Sequence, residues 1–304
     1  MKKKVIFFLS PEVTGAERVS ITMVKQLNKD EYDVTFAIIG NTFGQLLSFI
    51  PFHYEYHLVP LLRLTDYLSN KHPDEVFCSL IHLNDEVLKA ARQVGGIKVI
   101  LRNNYNLSDV NSSLIEKAKY AYPKADLVIA QTERMKQELI DVCDVSEDKI
   151  KVIDNPVDTD YIEEKLRGVS LPYSNDGLKH FCWIGRYEYI KGVDILIDAF
   201  AKAKEQNAEI SLYMIGSIED DNPYYKEILE AVKSNGLQNS VQFIGFDSNP
   251  YKWMKYADCL IIPSRSEANS NVLKEAVYLG TPVITTSNPE QMAQMILEHS
   301  KQFN

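Results

Sequence analysis

The sequence predicts an α/β protein made of two doubly wound domains. Each domain is expected to be a parallel sheet flanked by helices. Three observations predict this. Apolar runs of strand length alternate with helix-period patterns along the whole chain, the order that βαβ units require. The length of 304 residues suits two hydrophobic cores better than one. A turn-rich stretch, Arg167-Gly-Val-Ser-Leu-Pro172-Tyr-Ser-Asn-Asp-Gly177, interrupts the alternation near the middle. The expected division is a first domain over 1–157, a linker over 158–177 and a second domain over 178–304.

In the first half the apolar runs 3–9, 33–39, 75–81, 97–101, 126–131 and 149–153 read as strands. Helix-period patterns at 15–28, 84–94, 111–121 and 132–141 separate several of them. The region 41–70 reads as irregular. Its aromatic residues Phe43, Phe49, Phe52, Tyr54 and Tyr56 suggest a small satellite core or a seat for a lipid-bearing ligand, with Lys117, Lys119 and Lys124 as helpers. Asn155-Pro156 closes the first unit. In the second half the strands are 179–184, 209–215, 240–244, 258–262 and 281–285. The connecting helices are 191–206, 223–235, 249–256 and 270–279. In helix 191–206, Val193, Leu196, Ile197 and Phe200 fall on one face.

Composition narrows the function classes. Hydrophobic residues make up 45% and charged residues 25%, ordinary for a soluble globular protein. The net charge of −9, carried mostly by the second half, argues against nucleic acid as the main partner. The nearly neutral first half meets an anionic membrane surface with less repulsion. Cys78, Cys143, Cys182 and Cys259 are far apart, with neither a metal spacing nor a disulfide pattern. Reduced core thiols in a cytoplasmic protein are the expectation. The apolar start after Lys2-Lys-Lys is too short for a signal peptide, and Pro11 ends it. No run reaches transmembrane length. Neither a Gly-x-Gly-x-x-Gly fingerprint nor a Walker A loop is present, so dinucleotide and ATP readings fade. Asp158-Thr-Asp160 has a metal-binding spacing, but its place near Asn155-Pro156 reads as a helix cap. No metal or cofactor is expected.

The chemistry concentrates in Ser264-Arg-Ser-Glu267-Ala-Asn-Ser-Asn271-Val272-Leu-Lys-Glu275-Ala-Val-Tyr-Leu-Gly280. A buried strand precedes it and a helix pattern follows, ending at Gly280. One carboxylate in the loop and another inside the helix can grip a polar ligand at the strand's carboxyl end. Ser270 or Asn271 reads as the helix N-cap. The free N–H groups of that first turn suit a phosphate. Earlier, Gly185-Arg186-Tyr-Glu-Tyr-Ile-Lys191-Gly192 follows the first strand of the second half. The first strand of the chain runs into Thr14-Gly15-Ala-Glu17-Arg18, where Gly15 lets a backbone come close to a ligand. Glu17 and Arg18 read as a solvated helix face.

The phrase Ser264, Glu267, Asn271, Val272, Leu273, Glu275, Ala276 resembles glycosyltransferase family 4, whose retaining enzymes carry two Glu at this spacing. Gly185-Arg186 with Lys191-Gly192, and Ala199-Phe200 at the helix end, are similar to that family as well. So are Ile153-Asp-Asn155-Pro156 and Val241-Gln-Phe-Ile-Gly245-Phe246. The resemblance implies the GT-B arrangement of two doubly wound, Rossmann-like domains facing each other across a cleft. It implies a sugar moved from a nucleotide diphosphate sugar, UDP before GDP, to a glycan or lipid-linked acceptor. It further implies cell-envelope or capsular polysaccharide synthesis at the inner face of the membrane.

By resemblance, Arg186 and Lys191 meet the donor diphosphate, Glu267 the donor sugar and Glu275 the ribose. Gly15, Gly185, Phe246, Ser270, Asn271 and Val272 complete the donor side. Two fixed cations neutralise a leaving diphosphate without a metal. Asn104 stands where the family commonly has a His, and with His82 it forms the expected acceptor side. Asparagine hydrogen-bonds but cannot shuttle a proton at neutral pH. After Pro282-Val-Ile the chain is shorter than the family pattern, which leaves a sheet edge for a partner chain to cover. The alternative is a non-catalytic sugar-nucleotide-binding subunit that needs a partner. A UDP-sugar epimerase ranks third.

Overall fold

A computed structural model describes residues 2–206, 209–219 and 221–301. The chain divides into two compact units, Met1–Pro156 and Val157–Asn304.

The first unit runs β1 (Lys3–Leu9), α1 (Gly15–Lys25), β2 (Tyr32–Ile39), β3 (Glu55–Val59), α2 (Leu64–Lys71), β4 (Glu75–Cys78) and α3 (Asn84–Val94). It continues with β5 (Lys98–Arg102), α4 (Ser112–Ala121), β6 (Leu127–Ala130), α5 (Glu133–Cys143) and β7 (Ile150–Val152). All neighbours pair in parallel, in the order β3-β2-β1-β4-β5-β6-β7. Helices cover both faces of such a sheet, so its inner strands are apolar nearly throughout. Phe7 of β1 stacks on Phe77 of β4 at 4.5 Å and meets Phe36 of β2 edge-on. Strand order reverses between β1 and β4. The loops leaving those two strands diverge there, the usual seat of a ligand in this architecture.

The second unit runs α6 (Thr159–Leu166), β8 (Lys179–Ile184), α7 (Val193–Glu205), β9 (Ile210–Ile215), α8 (Pro223–Ser234) and β10 (Val241–Gly245). It ends with α9 (Pro250–Tyr256), β11 (Cys259–Ile262), α10 (Asn271–Leu279), β12 (Val283–Thr285) and α11 (Pro289–Lys301). Its parallel sheet has the order β10-β9-β8-β11-β12. The period of two is visible in the cores. Phe181 and Trp183 face the layer of α7, α8 and α11, while Cys182 faces that of α6, α9 and α10. Ile210, Leu212 and Met214 of β9 divide from Tyr213 and Ile215 in the same way.

The region read as irregular holds β3 and α2. Of its aromatics, Phe43, Phe49 and Tyr54 pack against the core of the first unit, whereas Phe52 is 97% exposed. The stretch read as a linker opens with α6, which Asp158 caps by accepting from the Tyr161 N–H at 3.3 Å. The first helix stops at Lys25 and the third strand of the sequence reading at Cys78.

Candidate functional site

β8 and β11 are neighbours in the second sheet, so the loops that leave them adjoin. The loop after β8 makes a short turn at Tyr189–Lys191 and then Gly192 adopts φ +65°. A Cβ at Gly192 would lie 2.1 Å from the Pro263 carbonyl oxygen, so only glycine fits. The Arg265 N–H donates to the Ile190 carbonyl at 2.9 Å. The Arg265 guanidinium grips both carboxylate oxygens of Asp194 at 2.8 and 2.5 Å. It also lies 3.8 Å from the Tyr189 ring centre and donates to the Tyr189 carbonyl at 2.7 Å. Planar pairing of this kind fixes orientation as well as distance. The Tyr224 hydroxyl donates to Asp194 at 2.5 Å. Burial pushes the Asp194 carboxyl up, but Arg265 and Tyr224 outweigh it and hold the group below its ordinary value.

This clamp sets the geometry of the two charged residues between the loops. Lys191 Nζ donates to Glu267 Oε1 at 2.8 Å, and Ser264 Oγ donates to the same oxygen at 2.6 Å. Both side chains of the pair are 27% exposed, reachable but partly desolvated. A lysine ammonium has three donors, so the pair leaves it hydrogens for another anion. Arg186 stands on the same loop, 69% exposed, with its charge on Glu188 at 2.9 Å.

α10 begins just beyond. Ser270 is its N-cap, accepting from the Leu273 N–H at 3.4 Å, and Asn271 is the first helical residue. Val272 packs into the core beneath. Glu275 lies one turn in and accepts from the Tyr251 hydroxyl at 3.3 Å. The cap is neutral, so the partial positive charge of this helix start is not met by a capping carboxylate. Gly185 and Gly216 abut at the ends of β8 and β9, where a Cβ on Gly216 would sit 2.1 Å from the Gly185 carbonyl oxygen. Phe246 follows β10 and is 68% exposed.

The remaining predicted residues lie in the first unit. Gly15 opens α1 behind the N-cap Thr14. Glu17 is not on a solvated face: it is wholly buried and accepts from Ser10 Oγ at 2.5 Å, from the Thr14 N–H at 3.3 Å and from the Thr14 hydroxyl. The capping box draws its side chain inward. Asn104 follows β5 and is half-buried, and His82 is exposed in the turn after β4. A cavity of about 490 Å³ also lies in this unit, lined by Leu58, Pro60, Arg63 and Tyr67 among others, and none of its lining residues is a predicted site residue. Among the described residues no three His, Cys, Asp or Glu converge on a metal-sized site. No helix among them is long and apolar enough to cross a membrane.

Arg265, Asp194 and Tyr224 escaped the sequence reading. Arg265 and Asp194 are 71 residues apart, and nothing local marks them as partners. The one available signal is an arginine two positions before Glu267.

The family model described as Glycosyltransferase Family 4 matches residues 13–161, and that described as Glycosyl transferases group 1 matches residues 172–303. An uncharacterized glycosyltransferase of Methanocaldococcus jannaschii is 26% identical over 94% of this chain and 68% of its own length. The N-acetylgalactosamine-N,N'-diacetylbacillosaminyl-diphospho-undecaprenol 4-alpha-N-acetylgalactosaminyltransferase of Campylobacter jejuni is 30% identical over 62% of this chain. That match takes in 47% of the Campylobacter enzyme, less than half its length. Among solved structures, Anabaena HepE in complex with UDP and glucose superimposes with a TM-score of 0.81 at 18% identity, covering 99% of this chain and 90% of that one. The adjoining family matches, the glycosyltransferase relatives and the shared fold make this chain a glycosyltransferase of the GT-B type.

Proposed function

We propose that the protein is a retaining, metal-independent transferase. It moves a hexose or N-acetylhexosamine from a nucleotide diphosphate sugar, UDP-linked before GDP-linked, to a glycan or lipid-linked acceptor of the cell envelope or capsule. The observation that carries the reading is the Lys191–Glu267 pair at 2.8 Å, set between two strand-end loops next to the uncharged start of α10. In this reading the diphosphate lies against Lys191, Arg186 and the first-turn N–H groups of α10. Glu267 holds hydroxyls of the donor sugar and Glu275 those of the ribose. Gly185 gives the backbone close approach, and Phe246 offers an exposed ring to the base. Asn104 and His82 belong to the acceptor side, with Gly15 near the transferred sugar.

The bond from the anomeric carbon to the phosphate oxygen breaks as the acceptor oxygen bonds to that carbon on the same face. The acceptor proton passes to the departing phosphate oxygen. Lys191 and Arg186 stabilise the charge that develops there. A UDP-bearing structure with the same fold and a relative named for a diphospho-undecaprenol acceptor support the choice of substrates. With no membrane-spanning helix among the described residues, a lipid-linked acceptor would be met at the membrane surface.

Calorimetry with UDP and GDP, followed by initial rates on a panel of UDP-sugars, tests this. Lys191→Ala is expected to lower turnover about 10²–10³-fold, the usual loss when one preorganised group facing developing charge is removed, and to weaken UDP binding. Unchanged kinetics in that variant would defeat the reading. UDP binding without turnover on any donor would replace the enzyme by a binding subunit.

A further inference from the structure

The cavity of about 490 Å³ in the first unit holds none of the residues given a role so far. It opens between the end of β3 and α2, with Arg63, Asp66, Tyr67, Ser69 and Asn70 among its walls. Its volume falls within the range of small-molecule sites. Arg63, Asp66, Tyr67 and Asn70 recur at the spacing of one helix face, so α2 turns a continuous polar strip toward it. β3 is the edge of its sheet and pairs only with β2. Its outer backbone edge is therefore open to a ligand. Pro60, just past the strand, has no N–H to give, which disfavours a peptide adding there as a further strand.

The lining carries one cation and one anion, and they neutralise each other: Arg63 donates to Asp66 at 3.1 Å, with the two side chains 74% and 66% exposed. An anionic ligand would meet the Asp66 carboxylate beside Arg63, and a cationic one the guanidinium beside Asp66. A neutral diol suits both, because one hydroxyl donates to the carboxylate while its neighbour accepts from the guanidinium. Solvent screens so exposed a pair, so opening it to admit hydroxyls costs little. Among the described residues, none bonds the side chains of Ser69 and Asn70, which add further donors and acceptors. Tyr67 supplies a fixed wall. Its hydroxyl and His57 Nδ1 share a hydrogen bond of 2.9 Å, and Glu55 braces His57 at 3.0 Å. A ring pinned in this way offers apolar contact to the C–H face of a sugar at little entropic cost.

The cavity lies by the carboxyl end of the sheet's edge strand, the end at which Asn104 and His82 also follow their strands. Between β3 and the reversal of strand order at β1 and β4 lie two to three strand spacings, roughly 10–14 Å. One sugar ring does not reach across that distance, whereas a short oligosaccharide does. We propose that the cavity binds a neutral oligosaccharide, a stretch of the acceptor several sugars away from the one that receives the transferred sugar. The inference rests on the transferase reading above and adds that the acceptor is a chain of sugars.

Calorimetry on the full chain with maltohexaose, laminarihexaose and chitohexaose, beside glucose and glucose 6-phosphate, tests it. At least one hexasaccharide is expected to bind at least about 10-fold more tightly than glucose, the scale of one or two added charge-assisted hydrogen bonds, and glucose 6-phosphate no better than glucose. The double variant Arg63→Ala, Asp66→Ala removes both charges together and leaves neither unpaired. It is expected to weaken that hexasaccharide about 10-fold and to leave UDP affinity unchanged. Asn70→Ala, on the same helix face, is expected to cost about 3-fold and decides if the double variant fails to fold. The hexasaccharide that binds is then offered as acceptor with the UDP-sugar that turns over. A lower KM than for its disaccharide, lost in the double variant while kcat changes little, supports the acceptor role. Failure to accept a sugar, or equal KM values for the two lengths, overturns that role. Absence of hexasaccharide binding, binding that the variants leave intact, or a preference for glucose 6-phosphate overturns the inference, while wild-type turnover leaves the transferase reading in place. Hexasaccharide binding that the variants weaken, without turnover on any UDP-sugar, supports the cavity as a glycan site but overturns the transferase reading and the acceptor role with it.

Discussion

In the second unit, the loops that leave the sheet are held by exposed or half-exposed charge: Arg265 on Asp194, Lys191 on Glu267 and Arg186 on Glu188. In the first unit, the loops after β4, β5 and β6 meet through neutral groups, the amides of Asn104 and Gln131 and the Ser79 carbonyl, around the enclosed guanidinium of Arg102, with Lys117 on Asp85 as a charged exception beside them. The helix starts differ in the same direction. α1 meets its own buried carboxylate, Glu17, whereas α10 is capped by the uncharged Ser270. Two sheets of the same construction have thus taken different chemistry at the same end. A helix start that already faces an internal carboxylate is a poor host for a second anion. One with a neutral cap is open to it. The difference is what the proposed reading requires of the second unit, where the donor diphosphate is placed against the start of α10.

The comparison can be broken at its supports. The largest stability effect is expected at Gly192→Ala, which combines a left-handed backbone with a 2.1 Å approach to the Pro263 carbonyl oxygen. A loss of about 3 kcal/mol, read by urea unfolding, is expected together with weaker UDP binding. Little loss would mean that the charged loops are not seated on that contact.

Arg265→Gln comes next and addresses charge directly. The Asp194 carboxyl lies below its ordinary value near 3.8 because Arg265 and Tyr224 outweigh the cost of burial. A group depressed in the folded state adds stability above its unfolded value, and that stability is lost as pH falls through the folded one. Unfolding measured between pH 6 and pH 3, on a scale set by ordinary carboxylates, is therefore expected to show a shallower acid decline in the variant than in wild type. An unchanged slope would remove Arg265 as the cause. The energy is modest, because Asp194 is 41% exposed and solvent screens the pair. The smallest change is Ser270→Ala, about 1 kcal/mol of lost capping. Its nucleotide affinity is expected to fall if the start of α10 faces the diphosphate and to stay put if it does not.

Most strands were legible because buried parallel strands write themselves as short apolar runs: β1, β8 and β11 stand out in the sequence. β3 was not legible. Its sequence, Glu-Tyr-His-Leu-Val, lies at a sheet edge with one fully buried residue, so solvent relaxes the pattern. α2 escaped for a different reason. It ends on His72 with φ 45° in place of the glycine that usually announces a left-handed cap. α6 is eight residues long and was hidden by the turn-rich residues that follow it. In the site, Lys191 and Glu267 could be named from local phrases. Their clamp could not, because an ion pair closed across two βα loops leaves no periodic trace in either. The network around Arg102 was hidden for a related cause, since the ends of β4, β5 and β6 each contribute to it and none is unusual alone.

The contact between Gly192 and Pro263 runs backbone to backbone, and the Arg265 N–H ties the same two segments at 2.9 Å. Neither strip can slide past the other. Whatever draws on the Lys191 ammonium also meets the Glu267 carboxylate bonded to it at 2.8 Å. If a nucleotide binds there, amide hydrogen exchange at 189–192 and 263–267 is expected to slow in step.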